Sequence, residues 1–113
     1  MSESVKLLLI SLGAGVVLAG VGVPLLLGRV PPNSWYGCRT SRTLSDERVW
    51  YAVNRVTGLD LILAGAFVVI SSLAVFAFGQ SLGPDAAAAV MVTVILLSVF
   101  GMALHSSRVS RRL

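Results

Sequence analysis

The chain has 113 residues, 56% of them hydrophobic and only 12% charged, with a mean hydropathy of +0.88. An ordinary globular chain is about 25% charged, so this composition belongs in lipid and excludes a soluble enzyme or a disordered tail. Cys38 is the only cysteine, which excludes a disulfide-stapled secreted domain.

Three apolar runs follow in chain order, residues 7–28, 56–78 and 86–104. Each has the roughly 20 residues that a helix rising about 1.5 Å per residue needs to cross the hydrocarbon core. The first run follows Lys6 and contains Val17-Leu18-Ala19, a pattern with some likeness to a cleaved leader. Its length, its continuation through Pro24 and the acidic Glu3 upstream read instead as a retained span. Backbone in lipid must satisfy its own hydrogen bonds, and no strand alternation is present. The expected fold is therefore all-α: an integral membrane three-helix bundle forming one membrane domain over 1–113.

Small residues mark close-approach positions, because lipid gives helices no hydrophobic drive to associate. Ser11, Gly15 and Ala19 form one stripe in the first span, Gly58 and Gly65 are roughly co-facial in the second, and the third carries Ser98 and Gly101. Internal packing and homo-oligomerisation both account for these faces. The turn at residues 79–85 contains Gly83-Pro84-Asp85 and only joins helices.

Between the first two spans, residues 29–55 form a long polar loop, uncommon unless it carries function. Pro31-Pro32 leaves the membrane stiffly extended, Asn33-Ser34 opens a turn, and Gly37 offers a positive-φ position. Trp35 and Tyr36 suit the headgroup level. Thr43-Leu44-Ser45-Asp46 fits a capping pattern for a short amphipathic helix starting near Leu44. That helix either lies on the surface or continues into the second span. Along it Trp50, Asn54 and Gly58 recur every four residues, drifting about 40° per step. Either Trp50 anchors at the interface while Asn54 caps the loop, or the loop folds back and docks on this stripe.

The pattern Pro32-Asn33-x-x-Tyr36-Gly37-x-Arg39-Thr40-x-x-Thr43-Leu44, then Val49-Trp50-x-x-x-Asn54-Arg55-x-x-Gly58, resembles the signature of the SdpI family of bacterial integral membrane proteins. The resemblance rests on residues 31–58 by motif and on hydropathy elsewhere. It marks Asn33, Tyr36, Gly37, Arg39, Thr43, Trp50, Asn54 and Gly58. It implies a protein that confers immunity to a membrane-active peptide toxin and binds a cytoplasmic regulator. The chain departs from the namesake in lacking additional spans before the motif, and in Ser41, where many relatives carry proline.

Basic residues set the expected orientation. Arg29, Arg39, Arg42, Arg48 and Arg55 lie in the first loop and Arg108, Arg111 and Arg112 in the tail over 105–113, against Lys6 alone on the other side. The positive-inside rule places the loop and C-terminus in the cytoplasm and the N-terminus outside a bacterial plasma membrane. The net charge of +4 is thus a topology signal, and direct nucleic-acid binding is not expected, since no nucleic-acid module is present. The tail suits anionic headgroups of membrane lipids.

No nucleophile elbow, Walker loop, zincin pattern or paired Cys/His metal spacing occurs, so no enzyme, cofactor or metal is expected. Asp60 is the one acid inside a span, a position that invites a functional reading. Lying about 6 Å deep, it is expected either to reach the interface or to pair with a first-loop arginine, with His105 placed at the interface. The leading expectation is a binding protein whose Arg39 and Arg55, with Asn33 and Asn54, meet a protein partner or a lipid headgroup. An accessory subunit of a larger membrane complex is the alternative, and a small transporter using Asp60 the third.

Overall fold

A computed structural model describes residues 2–112. Its helices are α1 (Glu3–Leu26), α2 (Ser41–Ser45), α3 (Glu47–Phe78) and α4 (Gly83–Arg112), with a 3₁₀ turn at Gln80–Leu82 before α4. No strand occurs among the described residues. Helices α1, α3 and α4 are each long and apolar enough to cross a membrane. The bundle measures 51 × 22 × 19 Å, so it outreaches a hydrocarbon core about 30 Å thick.

Two helix boundaries differ from the sequence expectation, each for a local reason. The helix leading into the second span starts at Glu47 and is continuous with that span. Asp46 is extended (φ −144°, ψ 114°), which breaks the chain between α2 and α3, and its own carboxylate accepts the Arg48 N–H at 2.9 Å. Asp46 is therefore the cap itself, and Thr43 closes a different box with Thr40. At the other end α4 runs through the basic tail to Arg112. Nothing after Gly101 interrupts it, and Arg111 and Arg112 lie in the last turn, where the helix dipole favours cations.

Helix α3 is the centre of the bundle; α1 and α4 pack against it and scarcely touch one another. Along α3 the buried residues Asn54, Gly58, Leu61, Gly65, Val68 and Ser72 alternate steps of four and three, one continuous seam. From α1, Ser11, Gly15, Gly22 and Leu25 are buried. The glycines face each other in two pairs, Gly15 with Gly65 and Gly22 with Gly58. A Cβ on Gly58 would lie 2.5 Å from both the Gly22 carbonyl oxygen and the Leu26 nitrogen. Internal packing thus occupies the small-residue faces of α1 and α3. Gly101 of α4, by contrast, has open space around it.

Candidate functional site

The loop begins with a tight stop. Gly28 takes φ +70°, Gly28 N–H donates to the Leu25 carbonyl at 3.2 Å, and Arg29 N–H reaches back to that of Pro24 at 3.0 Å. This closes the last carbonyls of α1. The Arg55 guanidinium lies beside Gly28, with Nη2 3.3 Å from where a Cβ would be, a favourable place for a cation at a helix C-terminus.

After Pro31-Pro32 the chain is turned by Asn33. Its Oδ1 accepts the N–H groups of Trp35 (2.9 Å) and Tyr36 (2.6 Å), and its Nδ2 donates to the Pro31 carbonyl at 2.8 Å. Trp35 projects outward, 79% exposed, and stacks on Tyr36 with ring centroids 5.6 Å apart. Tyr36 points inward, and its hydroxyl donates to the Val21 carbonyl of α1. Burial pushes the Tyr36 phenol up from its ordinary pKa.

The loop then folds back onto the face of α3 that carries Trp50, Asn54 and Gly58. Asn54 is 2% exposed; its Oδ1 accepts the Cys38 N–H at 2.6 Å, and its Nδ2 donates to the carbonyls of Trp50 (3.0 Å) and Cys38 (3.3 Å). Gly37 permits this approach at φ +105°, where a Cβ would sit 2.7 Å from Asn54 Oδ1. Thr43, fully buried, accepts the Thr40 N–H at 2.8 Å and places its hydroxyl 3.1 Å from the Cys38 carbonyl. Trp50 is also fully buried, and its Nε1 donates to the Val30 carbonyl at 2.8 Å. Of the two sequence alternatives, docking is the one observed. Trp50 is no interface anchor, because its indole N–H has a backbone partner inside the fold.

A second seam, of hydroxyls, ties this assembly to α4. Thr57 Oγ1 donates to Ser106 Oγ at 2.9 Å, and Thr40 Oγ1 lies 2.8 Å from Ser110 Oγ. Asp60 takes a partner other than the expected arginine. Its Oδ2 lies 2.6 Å from His105 Nδ1 on α4, so its partner is that histidine and not a first-loop arginine. Packing of α4 on α3 brings Asp60 and His105 together, whereas Arg39 and Arg42 precede α3 and Arg55 lies beside Gly28. No group of three His, Cys, Asp or Glu able to hold a metal occurs among the described residues.

Between α1, the loop and α4 lies a cleft of about 340 Å³. Val21, Leu25, Leu61 and Met102 form its apolar part; Arg39, Thr40 and Ser107 stand at its polar end. Cys38 lines it too, and burial pushes the thiol pKa up, with the neighbouring Thr57 hydroxyl offsetting part of the rise.

The structure therefore separates the motif into two groups. Asn33, Tyr36, Gly37, Thr43, Trp50, Asn54 and Gly58 are occupied in folding the loop or in packing α3 on α1. Arg39 and Arg55 are exposed and make no ion pair among the described residues. Ser106, Ser110 and Thr57 were missed by sequence reasoning. The one signal for them was the pair of serines four apart on the continuation of the third span.

A family model described as the SdpI/YfhL protein family matches residues 29–105. An uncharacterized protein, YfhL of Bacillus subtilis (strain 168), is 37% identical over 59 residues, covering 50% of this chain and 50% of that protein. The chain thus spans about half the length of the curated relative it matches. No solved structure matches the chain. The matched region runs from the first loop arginine through both later spans to the Asp60–His105 pair, so this chain is a membrane protein that belongs to the SdpI/YfhL family.

Proposed function

We propose that the chain acts by binding and not by chemistry, capturing a protein partner at the cytoplasmic face of the bacterial plasma membrane. The partner is a membrane-active peptide against which the chain protects the cell, a cytoplasmic regulator that it sequesters, or both. One observation carries this reading: Asn33, Thr43 and Asn54 are bonded within the fold, while Arg39, Arg42, Arg48 and Arg55 stand exposed without an ion pair among the described residues. Guanidinium groups suit carboxylates on a partner, because each planar fork is pre-organised for two parallel hydrogen bonds. Cytoplasmic placement rests on the concentration of arginine on that side.

Transport through Asp60 finds less support. The hydroxyls of Ser72, Thr93 and Ser98 bond back to the carbonyls of Val68, Ala89 and Val94 on their own helices, so they form no polar path from Asp60. The test is survival of a peptide-sensitive bacterium expressing the chain, with co-purification of bound protein. Wild type is expected to protect and to retain the partner, and Arg39→Ala with Arg55→Ala to lose both. Stoichiometric retention of a larger membrane complex, unaffected by the arginine substitutions, would favour an accessory subunit instead.

A further inference from the structure

We infer that the cleft between α1, the loop and α4 seats one anionic phospholipid. The cleft of about 340 Å³ joins a second hollow of about 250 Å³ through Thr40 and Ser107, which line both. The second hollow is lined by Arg42 and Arg111 together with Ser41 and Ser110. Polarity changes in one direction along this path. On α4, Met102 and Ala103 belong to the apolar part and Ser107 and Arg111 to the polar end, a rise of about 13 Å from Met102 to Arg111. On α1 and α3 the apolar part is continued by Val21, Leu25 and Leu61. That gradient matches a glycerophospholipid, with phosphate at the arginines and the upper acyl chain against the leucines.

Charge selects the headgroup. Arg39, Arg42 and Arg111 line the two hollows, no carboxylate does, and none of the three makes an ion pair among the described residues. A phosphate with no compensating ammonium satisfies such a site, whereas a choline headgroup brings a further cation into it. Because α1 and α4 scarcely touch, the cleft opens sideways between them, and a lipid enters without leaving the bilayer. This goes beyond the capture of a protein partner, and it is read on the isolated chain, so either idea can fail alone.

The test is native mass spectrometry of the full chain in a gentle detergent. Phosphatidylglycerol and phosphatidylcholine with matched acyl chains are offered in equal amounts. The expected result is a single phosphatidylglycerol adduct favoured about tenfold or more, and reduced by a similar factor in Arg39→Gln with Arg111→Gln. Arg108→Gln with Arg112→Gln removes the same charge outside the cleft and is expected to leave the adduct intact. Ala103→Phe, at an exposed position, fills the apolar part and is expected to abolish the adduct; circular dichroism and the protection of Cys38 verify that each variant folds. Equal retention of both lipids, equal loss in the two arginine pairs, or an adduct that survives Ala103→Phe would each overturn the inference.

Discussion

Replacing Asn54 with alanine should release the loop while leaving the bundle assembled. The amide of Asn54 holds both the N–H and the carbonyl of Cys38, at 2.6 and 3.3 Å. The carbonyl keeps Thr43 Oγ1 at 3.1 Å after the substitution, but the N–H loses the one partner it has among the described residues. An orphaned, part-buried donor costs about 1–3 kcal/mol, and a shift of about 2 kcal/mol raises the undocked fraction roughly 30-fold. Cys38 reports this directly, being the only thiol in the chain and half-buried within the docked loop. When docking is fast relative to modification, the labelling rate follows the open population. Asn54→Ala in detergent is therefore expected to react with a maleimide roughly 30-fold faster than wild type, and Trp35→Ala, at an exposed ring, at the wild-type rate. An Asn54→Ala rate equal to that of wild type would refute the docking argument.

Other consequences follow from the same geometry. Burial raises the Cys38 pKa, so the thiolate is disfavoured in the docked state. Docking stability is then fully present below the unfolded thiol pKa of about 8.5 and is lost as pH rises through the raised value. The labelling rate of wild type should reach its midpoint at a higher pH than that of a free cysteine, and Asn54→Ala should move it back. Gly58→Ala places a Cβ 2.5 Å from backbone atoms of α1; such overpacking costs about 1–3 kcal/mol, measurable as earlier unfolding in a denaturing-detergent titration. Gly101→Ala, with open space around it, should unfold as wild type does. A double-mutant cycle on Asp60→Asn and His105→Gln should give a coupling of about 0.6 kcal/mol, the usual size for hydrogen bonds between membrane helices. No coupling would mean that the pair does not hold α4 to α3.

The three spans were legible because charge-free runs of bilayer length leave one structural solution. Close approach of α1 and α3 was legible at Gly15, Gly58 and Gly65 for the same kind of reason: only small residues bring backbones together in lipid. The loop was half legible. Periodicity puts Trp50, Asn54 and Gly58 on one face but does not say what covers that face, so interface anchoring stood beside docking until the bonds to Val30 and Cys38 were seen. The start of α3 was misplaced because Thr43 and Asp46 fit one capping pattern, whereas each caps a different helix. Asp60 was assigned the wrong partner because loop arginines are near it in sequence, while pairing in the membrane follows depth along neighbouring helices. For the hydroxyl seam to α4 the spacing of Ser106 and Ser110 was too little to read, since serine at a span end looks the same whether it meets water or another hydroxyl.

On the proposed function, motif residues build the loop while the exposed arginines bind the partner. Purification of the chain from native membranes in a gentle detergent, with mass spectrometry of what remains bound, tests it most directly when wild type is compared with Arg39→Ala plus Arg55→Ala. The arginine variant is expected to keep Cys38 as protected as wild type does and yet to lose the protein partner. Undiminished partner retention by that variant would contradict it.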